Sequence, residues 1–183
     1  MNIILASASP RRRELMKLIA NDFTVVSVDA DETIPQNIRP LMASQYLAEI
    51  KARAVGNLQH DVIIGCDTTV ICDNKILGKP KDKDECHEFM CMLSGRTHQV
   101  ATGCCIIGNG KVKSFTEITD VTFRRLSDKE IEEYISTSEP YDKAGGYGIQ
   151  GKGSLLIEKI NGDYFNVVGL PVSRLNQELK NFI

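Results

Sequence analysis

Ser7-Ala8-Ser9-Pro10-Arg11-Arg12-Arg13 is the first stretch whose residue types and spacing point to chemistry. Ser9 is a favourable N-cap and Pro10 suits the first helical position, which puts the arginines in a first helical turn. That turn carries partial positive charge and favours Asp or Glu, so three cations there cost roughly a few tenths of a kcal/mol each. A bound phosphate removes the conflict, and the N–H groups of the same turn bind it too. The plainer alternative is three side chains fanning into solvent, and Arg13, beside Glu14, suits it best.

Asp67 follows the apolar run Val62-Ile63-Ile64-Gly65-Cys66. Burying a bare carboxylate there is expensive, so Asp67 either caps the strand end at solvent or holds a metal or a proton. Ligands gather at carboxyl ends of strands in α/β proteins, and Gly65 admits close backbone approach. Lys79 sits in Leu77-Gly78-Lys79-Pro80-Lys81, where Pro80 pins the backbone; it reads as a phosphate contact or as an ordinary loop lysine. In Asp142–Gly153, five of the 14 glycines fall within nine residues, a density suited to backbone N–H groups approaching a ligand, or to a flexible surface loop. Its Gln150 can both donate and accept, as reading a nucleobase edge requires. Among Asp29, Asp31 and Glu32, Glu32 with Asp67 supplies the one or two carboxylates that Mg²⁺ takes beside substrate oxygens; a solvated acidic turn is the alternative.

The elements that must position these residues alternate. Asn2–Ala6 predicts a buried strand, Pro10 onward a helix with Leu15, Met16, Leu18 and Ile19 on its apolar face, and Phe23–Val28 a strand. Asp29–Pro40 reads as a loop, and Leu41–Leu58 as a helix burying Leu47, Ile50, Ala54 and Leu58. Asp61–Cys72 predicts a central strand interrupted at Asp67, with a hairpin turn at Asp73-Asn74. Lys83–Leu93 reads as a helix stopped near Ser94-Gly95. His98–Ile107 and Lys111–Phe123 read as strands paired across Gly108-Asn109-Gly110, and Ser127–Glu130 as a capping box opening a helix to about Ser136. Two strands and a helix over Val172–Asn181 close the chain. Mixed strands and helices without repeat or linker predict one α/β domain over 1–183.

Composition bounds the function. A net charge of -2, from 22 basic and 24 acidic residues, argues against a dedicated nucleic-acid coat protein but not against a local anion site. No apolar stretch spans a bilayer, and the first residues lack a signal-peptide pattern, so a cytoplasmic protein is expected. The cysteines Cys66, Cys72, Cys86, Cys91, Cys104 and Cys105 form no Cys-x-x-Cys pair and read as free thiols in a reducing compartment. The spacing of Cys86, His87, Cys91 and His98 matches no structural-zinc pattern.

In order along the chain, Ser7, Ser9, Pro10, Arg11, Arg12, Glu14 and Leu15, then Gly65-Cys66-Asp67-Thr68, Lys79-Pro80, Leu93-Ser94-Gly95, Asp142-Lys143-Ala144-Gly145, Tyr147-Gly148-Ile149-Gln150-Gly151, Gly162-Asp163-Tyr164 and Val168-Gly169-Leu170-Pro171 resemble the motifs of the Maf family of nucleoside triphosphate pyrophosphatases. The resemblance runs nearly end to end. It implies an inosine triphosphate pyrophosphatase-like fold, an elongated mixed sheet with flanking helices and a cleft between two lobes. It implies hydrolysis of a nucleoside triphosphate to monophosphate and pyrophosphate with a divalent cation, Mg²⁺ or Mn²⁺, in a homodimer with no nucleic-acid or membrane partner. Carried over by position, Asp67 activates water; Arg11, Thr68 and Gln150 choose the substrate; Ser7, Ser9, Arg12, Lys51 and Lys79 hold phosphates; Glu32 and Asp67 hold the metal. The Asp-Thr and Gly-Ile-Gln-Gly variants resemble the dTTP/UTP branch. Gly146, where Ala is the usual residue, and Glu49-Ile50 before Lys51, where Arg-Glu is usual, depart from the pattern. A different class, a nucleotide-binding regulator of cell division without turnover, fits the same motifs; a transferase needs an acceptor motif, and none is seen.

Overall fold

Eleven consecutive residues with β-branched or small side chains, Val62–Cys72, form one unbroken strand, β3, rather than the interrupted strand expected. Asp67 is accommodated because the edge of β3 is open there, as the pairing described below shows. The computed structural model describes residues 2–56 and 61–183. In chain order its strands and α-helices are β1 (Ile3–Ala6), α1 (Pro10–Met16), β2 (Thr24–Val25), α2 (Pro40–Ala54), β3, β4 (Lys75–Leu77), α3 (Lys83–Leu93), β5 (Thr97–Gly108), β6 (Lys111–Phe123), α4 (Asp128–Ile135), β7 (Ile157–Asn161), α5 (Tyr164–Val168) and α6 (Val172–Leu179). The seven strands make one mixed sheet in the order β2-β1-β3-β5-β6-β7, with β4 also on β3. β1 pairs parallel with β2 and β3, and the remaining pairs are antiparallel.

On one edge of β3, β1 pairs as far as Ala6 opposite Gly65, and β4 begins at Leu77 opposite Val70. Among the described residues, therefore, no strand lies beside 66–69 on that edge, while β5 covers the other edge throughout. The hydrophobic clusters divide at the same place. Cys66 belongs with Leu5, Met16, Ile64, Ile106 and Leu175, whereas Val70 belongs with Met90, Leu93, Phe123, Ile131 and Tyr147. Two lobes thus share β3, β5 and β6, and the open notch at Asp67 lies between them.

Several expectations are corrected. Only Thr24–Val25 of Phe23–Val28 forms a strand, and both residues are exposed. Leu18 lies beyond the end of α1 and is 67% exposed, so it leaves the apolar face, while Ile19, also beyond the helix end, still packs against the cluster of Leu15 and Met16. α2 buries Ala43, Ser44, Leu47, Ala48 and Ala52 rather than Ile50 and Ala54, and Leu58 lies outside the described residues. Its small face follows from close approach: a Cβ on Gly65 would fall on the Ala48 carbonyl oxygen, and one on Gly103 on the Gln45 amide. Of the two C-terminal strands expected, only β7 forms. Asp163 instead caps α5, its carboxylate accepting from the Phe165 N–H at 2.8 Å.

The turn chemistry is as read. Asp73 and Asn74 both take positive φ between β3 and β4, as do Asn109 and Gly110 between β5 and β6, the geometry of tight two-residue hairpins. Ser127 and Glu130 form the reciprocal capping box at α4. No helix among the described residues is long and apolar enough to cross a membrane. The six cysteines are free, five of them buried. Cys86 and His98 are buried in the second lobe, and His98 bonds Tyr147 rather than a cysteine.

Candidate active site

The notch in the sheet opens into a cleft of about 760 Å³. Because successive strand residues face opposite sides, Asp67 joins Ile63 and Gly65 on the side covered by α2, and Thr68 joins Ile64 and Cys66 on the side covered by α1. Both still line the cleft, since the open edge exposes the two faces of β3 at once.

On the Thr68 side, Ser9 caps α1 and Pro10 opens it, as read, and this aims Arg12 back at the open strand edge. Its Nε donates to the Gly169 carbonyl at 2.8 Å. Nη1 donates to the Cys66 carbonyl at 2.9 Å and to Ser7 Oγ at 3.2 Å, and Nη2 to Thr68 Oγ1 at 3.0 Å. The Cys66 carbonyl, left without a strand partner, is thereby satisfied. All four acceptors are neutral, so the guanidinium is fixed in place without a countercharge among them.

On the Asp67 side, the close seat of α2 brings the Lys51 Nζ 2.6 Å from Asp67 Oδ1 and 3.1 Å from Glu32 Oε1. Two carboxylates from different segments converge on one cation here, Asp67 buried and Glu32 exposed at the rim. Among the described residues no three His, Cys, Asp or Glu side chains converge as metal ligands. A pair of hard oxygen donors is nevertheless what Mg²⁺ or Mn²⁺ takes from protein when phosphate oxygens and water complete its shell, so the donor set fits such an ion.

The second lobe closes the cleft with the glycine-rich segment. Arg11 reaches across to Asp142 at 3.2 Å, and Lys143 holds the same carboxylate at 2.6 Å. Burial raises the pKa of Asp142, but the hydrogen bonds from Lys143 and Arg11 outweigh it and hold the carboxyl below its usual range. Tyr147 is buried and shares a 2.6 Å hydrogen bond with His98 Nε2, which anchors the loop carrying Ile149 and Gln150 to β5. Burial lowers the His98 pKa to about 4, so the ring is neutral at pH 7. Gly146 takes φ +71° against Cys86 and Pro80, a conformation that disfavours the alanine usual in the resembled motif.

Arg11, Arg12, Ser9, Glu32, Lys51, Asp67, Thr68, Lys79 and Gln150 thus come together around one cleft. Ser7 does not line it and stands behind Arg12 as an acceptor; Arg13 is exposed and points elsewhere, as its place beside Glu14 indicates. Asp142, Glu139 and Gly169 also line the cleft and had no role assigned from sequence, while the buried Thr102 and Asn166, behind the cleft wall, were not singled out at all. Asp142 lies within a motif already singled out. A lone Asn between Phe165 and Val167 carries the only hint of the buried pair.

Residues 2–182 match the family described as Maf-like protein. The chain belongs to that family. Curated relatives of this Maf-like chain include proteins named dTTP/UTP pyrophosphatase from Bacillus cereus and Bacillus anthracis, each 48% identical over 181 residues, covering 98% of this chain and 95% of theirs. A solved structure of the Staphylococcus aureus Ham1 protein superposes with a TM-score of 0.50 at 16% identity, covering 67% of this chain and 72% of that one. That likeness bears on the fold alone, and the mixed sheet with flanking helices is as expected.

Proposed function

We propose that this Maf-like chain hydrolyses dTTP and UTP to the monophosphate and pyrophosphate. Support comes from relatives of that name at 48% identity over nearly the whole chain. The observation that carries the mechanism is the pairing of a rigidly held, uncompensated Arg12 with a carboxylate, Asp67, on opposite faces of one strand at one cleft. A triphosphate brings about four negative charges, and phosphoryl reactions are catalysed mainly by positioning and charge stabilisation. Arg12, Lys51 and Lys79 hold the phosphates, with Ser9 at the helix start and Ser7 orienting Arg12. Asp67 accepts the proton of a water whose oxygen bonds to the α-phosphorus, and the bond from that phosphorus to the bridging oxygen breaks as pyrophosphate leaves. Arg11, Thr68 and Gln150 meet the nucleoside end. Glu32 and Asp67 would hold a divalent ion, which supplies charge neutralisation at the phosphate oxygens. The proposal takes the chain as one folding unit over 1–183, a homodimer and a cytoplasmic protein, in keeping with the strands shared by both lobes, the resemblance and the free thiols respectively.

Pyrophosphate release from purified protein, assayed across the common nucleoside triphosphates with Mg²⁺ or Mn²⁺, tests this reading. Preference for UTP and dTTP is expected. Preference for purines overturns the substrate assignment, and binding of UTP without release from any nucleotide overturns the activity and leaves a nucleotide-binding regulator.

A further inference from the structure

Thr102 of β5 is completely buried and does not line the cleft, yet it controls a hydroxyl that does. Its Oγ1 lies 2.9 Å from the backbone carbonyl of Asn166 and 2.9 Å from Thr68 Oγ1. A carbonyl only accepts, so the single hydroxyl proton of Thr102 points to Asn166. Thr102 Oγ1 is then the acceptor toward Thr68, and the hydroxyl proton of Thr68 is committed to it. Thr68 Oγ1 therefore accepts from Arg12 Nη2 at 3.0 Å, which is the only sense open to a guanidinium. Every proton in the chain from α5 to Arg12 is fixed by elimination.

The start of that chain is itself immobile. Asn166 is fully buried; its Oδ1 accepts from the Thr102 N–H at 3.0 Å, and its Nδ2 donates to the Val100 carbonyl at 3.0 Å and to Thr119 Oγ1 at 2.9 Å. The amide thus bridges residues 100 and 102 of β5 in the way a neighbouring strand's peptide would. The Asn166 carbonyl belongs to the last turn of a short helix, where carbonyls lack intrahelical partners, and Thr102 supplies one.

We propose that Thr102, oriented by Asn166, is a positioning residue that makes Thr68 an acceptor-only hydroxyl and so selects nucleotides presenting an N–H to it. One lone pair of Thr68 is taken by Arg12, and the other receives the ligand. Uracil and thymine carry N3–H, whereas cytosine offers a bare acceptor at N3 and meets lone pair against lone pair. A site built around a fixed acceptor rejects the analogue that lacks the donor.

This rests on the reading that the cleft hydrolyses UTP and dTTP, and the two fail separately. The test is steady-state pyrophosphate release from UTP and CTP by the parental protein and by Thr102→Val, Thr102→Ser and Thr68→Val. Thr102→Val removes the acceptor that holds the Thr68 proton and lets Thr68 donate. Its KM for UTP rises about tenfold and the UTP-over-CTP ratio of kcat/KM shrinks by about the same factor, with kcat for UTP little changed. Thr102→Ser restores both parameters, because the hydroxyl and not the methyl carries the effect. Thr68→Val, at the cleft and independent of whether the buried variant folds, loses the discrimination too. Parental discrimination in Thr68→Val or in folded Thr102→Val, or a serine variant that behaves like valine, overturns the relay. Parental protein releasing nothing from UTP overturns the activity instead.

Discussion

The two faces of β3 at the cleft hold their cations by different means. On the Thr68 face, Arg12 is fixed by two carbonyls and two hydroxyls, so its position is set while its charge stays unspent. On the Asp67 face, Lys51 is held by two carboxylates, so its charge is offset by groups that have their own work. Neutral partners orient a group without cancelling it, whereas charged partners can be exchanged for a ligand of the same sign. The first face is therefore suited to receive an anion without rearrangement, and on the proposed reading the second trades partners when phosphate and a divalent ion bind.

The largest break in this comparison is Asp67→Asn. The amide keeps the shape but cannot take a proton from water, and turnover of UTP falls by about 10²–10⁴, the usual contribution of a positioned base. Lys51 retains Glu32, so the circular dichroism spectrum remains parental. Parental turnover in pure Asp67→Asn protein would remove Asp67 from the proton-transfer step.

Arg12→Lys probes the other face at constant charge. An ammonium cannot reproduce the planar fork that spans Gly169, Cys66 and Thr68, so positioning fails although the cation remains. A loss of about 100-fold in kcat/KM is expected, the cost of misplacing one charge-stabilising donor. The Cys66 carbonyl also loses its Arg12 donor, which lowers unfolding stability by about 1–3 kcal/mol in urea titration. Undiminished kcat/KM would show that charge alone, and not its neutral setting, suffices on this face.

How much of this contrast is legible in the sequence follows from where the information sits. Local chemistry is readable: Ser9-Pro10 announces the cap, Asp73-Asn74 and Asn109-Gly110 the tight turns, and Ser127 with Glu130 the capping box. The unbroken β3 was not, because an apolar run gives no sign of which neighbour stops at Gly65 and which begins at Val70. α2 was misphased for a related reason. Its buried face is chosen by Gly65 and Gly103, distant residues that let the helix backbone touch the sheet, so small residues outrank Ile50. Gathering Arg11, Lys51 and Gln150 around Asp67 needed the resemblance, since no spacing links them. The role of Asn166 needed the fold, which alone brings it 64 residues back to Thr102.

The neutral setting recurs in the second lobe, where His98 and Tyr147 anchor the glycine-rich loop, and there it makes a pH prediction. Burial depresses the His98 pKa to about 4 in the folded chain, against about 6.5 unfolded. Below pH 6.5 the unfolded chain binds the extra proton, so this contribution to stability is present above pH 6.5 and is lost as pH falls toward 4. The loss approaches about 3 kcal/mol over that window. His98→Phe keeps an aromatic ring beside Phe123 while removing the titration, so its urea midpoint between pH 7 and pH 5 changes less than the parental one. Equal pH slopes in the two proteins would place the acid sensitivity in other groups.

The smallest effect expected belongs to a solvent-exposed charged pair at the rim of the cleft. Arg11 and Asp142 meet across the cleft with side chains 34% and 63% accessible, so their attraction is heavily screened and worth under about 1 kcal/mol. If carboxylates at the cleft are exchangeable partners, Asp142→Asn leaves Arg11 available to the ligand and lowers the KM for UTP by about twofold to fivefold. The difference shrinks as salt is raised, because a charge at the rim is screened within a Debye length of about 8 Å. Lys143 also holds Asp142, so Arg11→Ala with and without Asp142→Asn separates the two cations. A KM that falls by the same factor in the Arg11→Ala background would assign the effect to Lys143. A KM that rises in Asp142→Asn alone would mean that the carboxylate orients Arg11 as the carbonyls orient Arg12, and the distinction between charged and neutral settings would not extend to the second lobe.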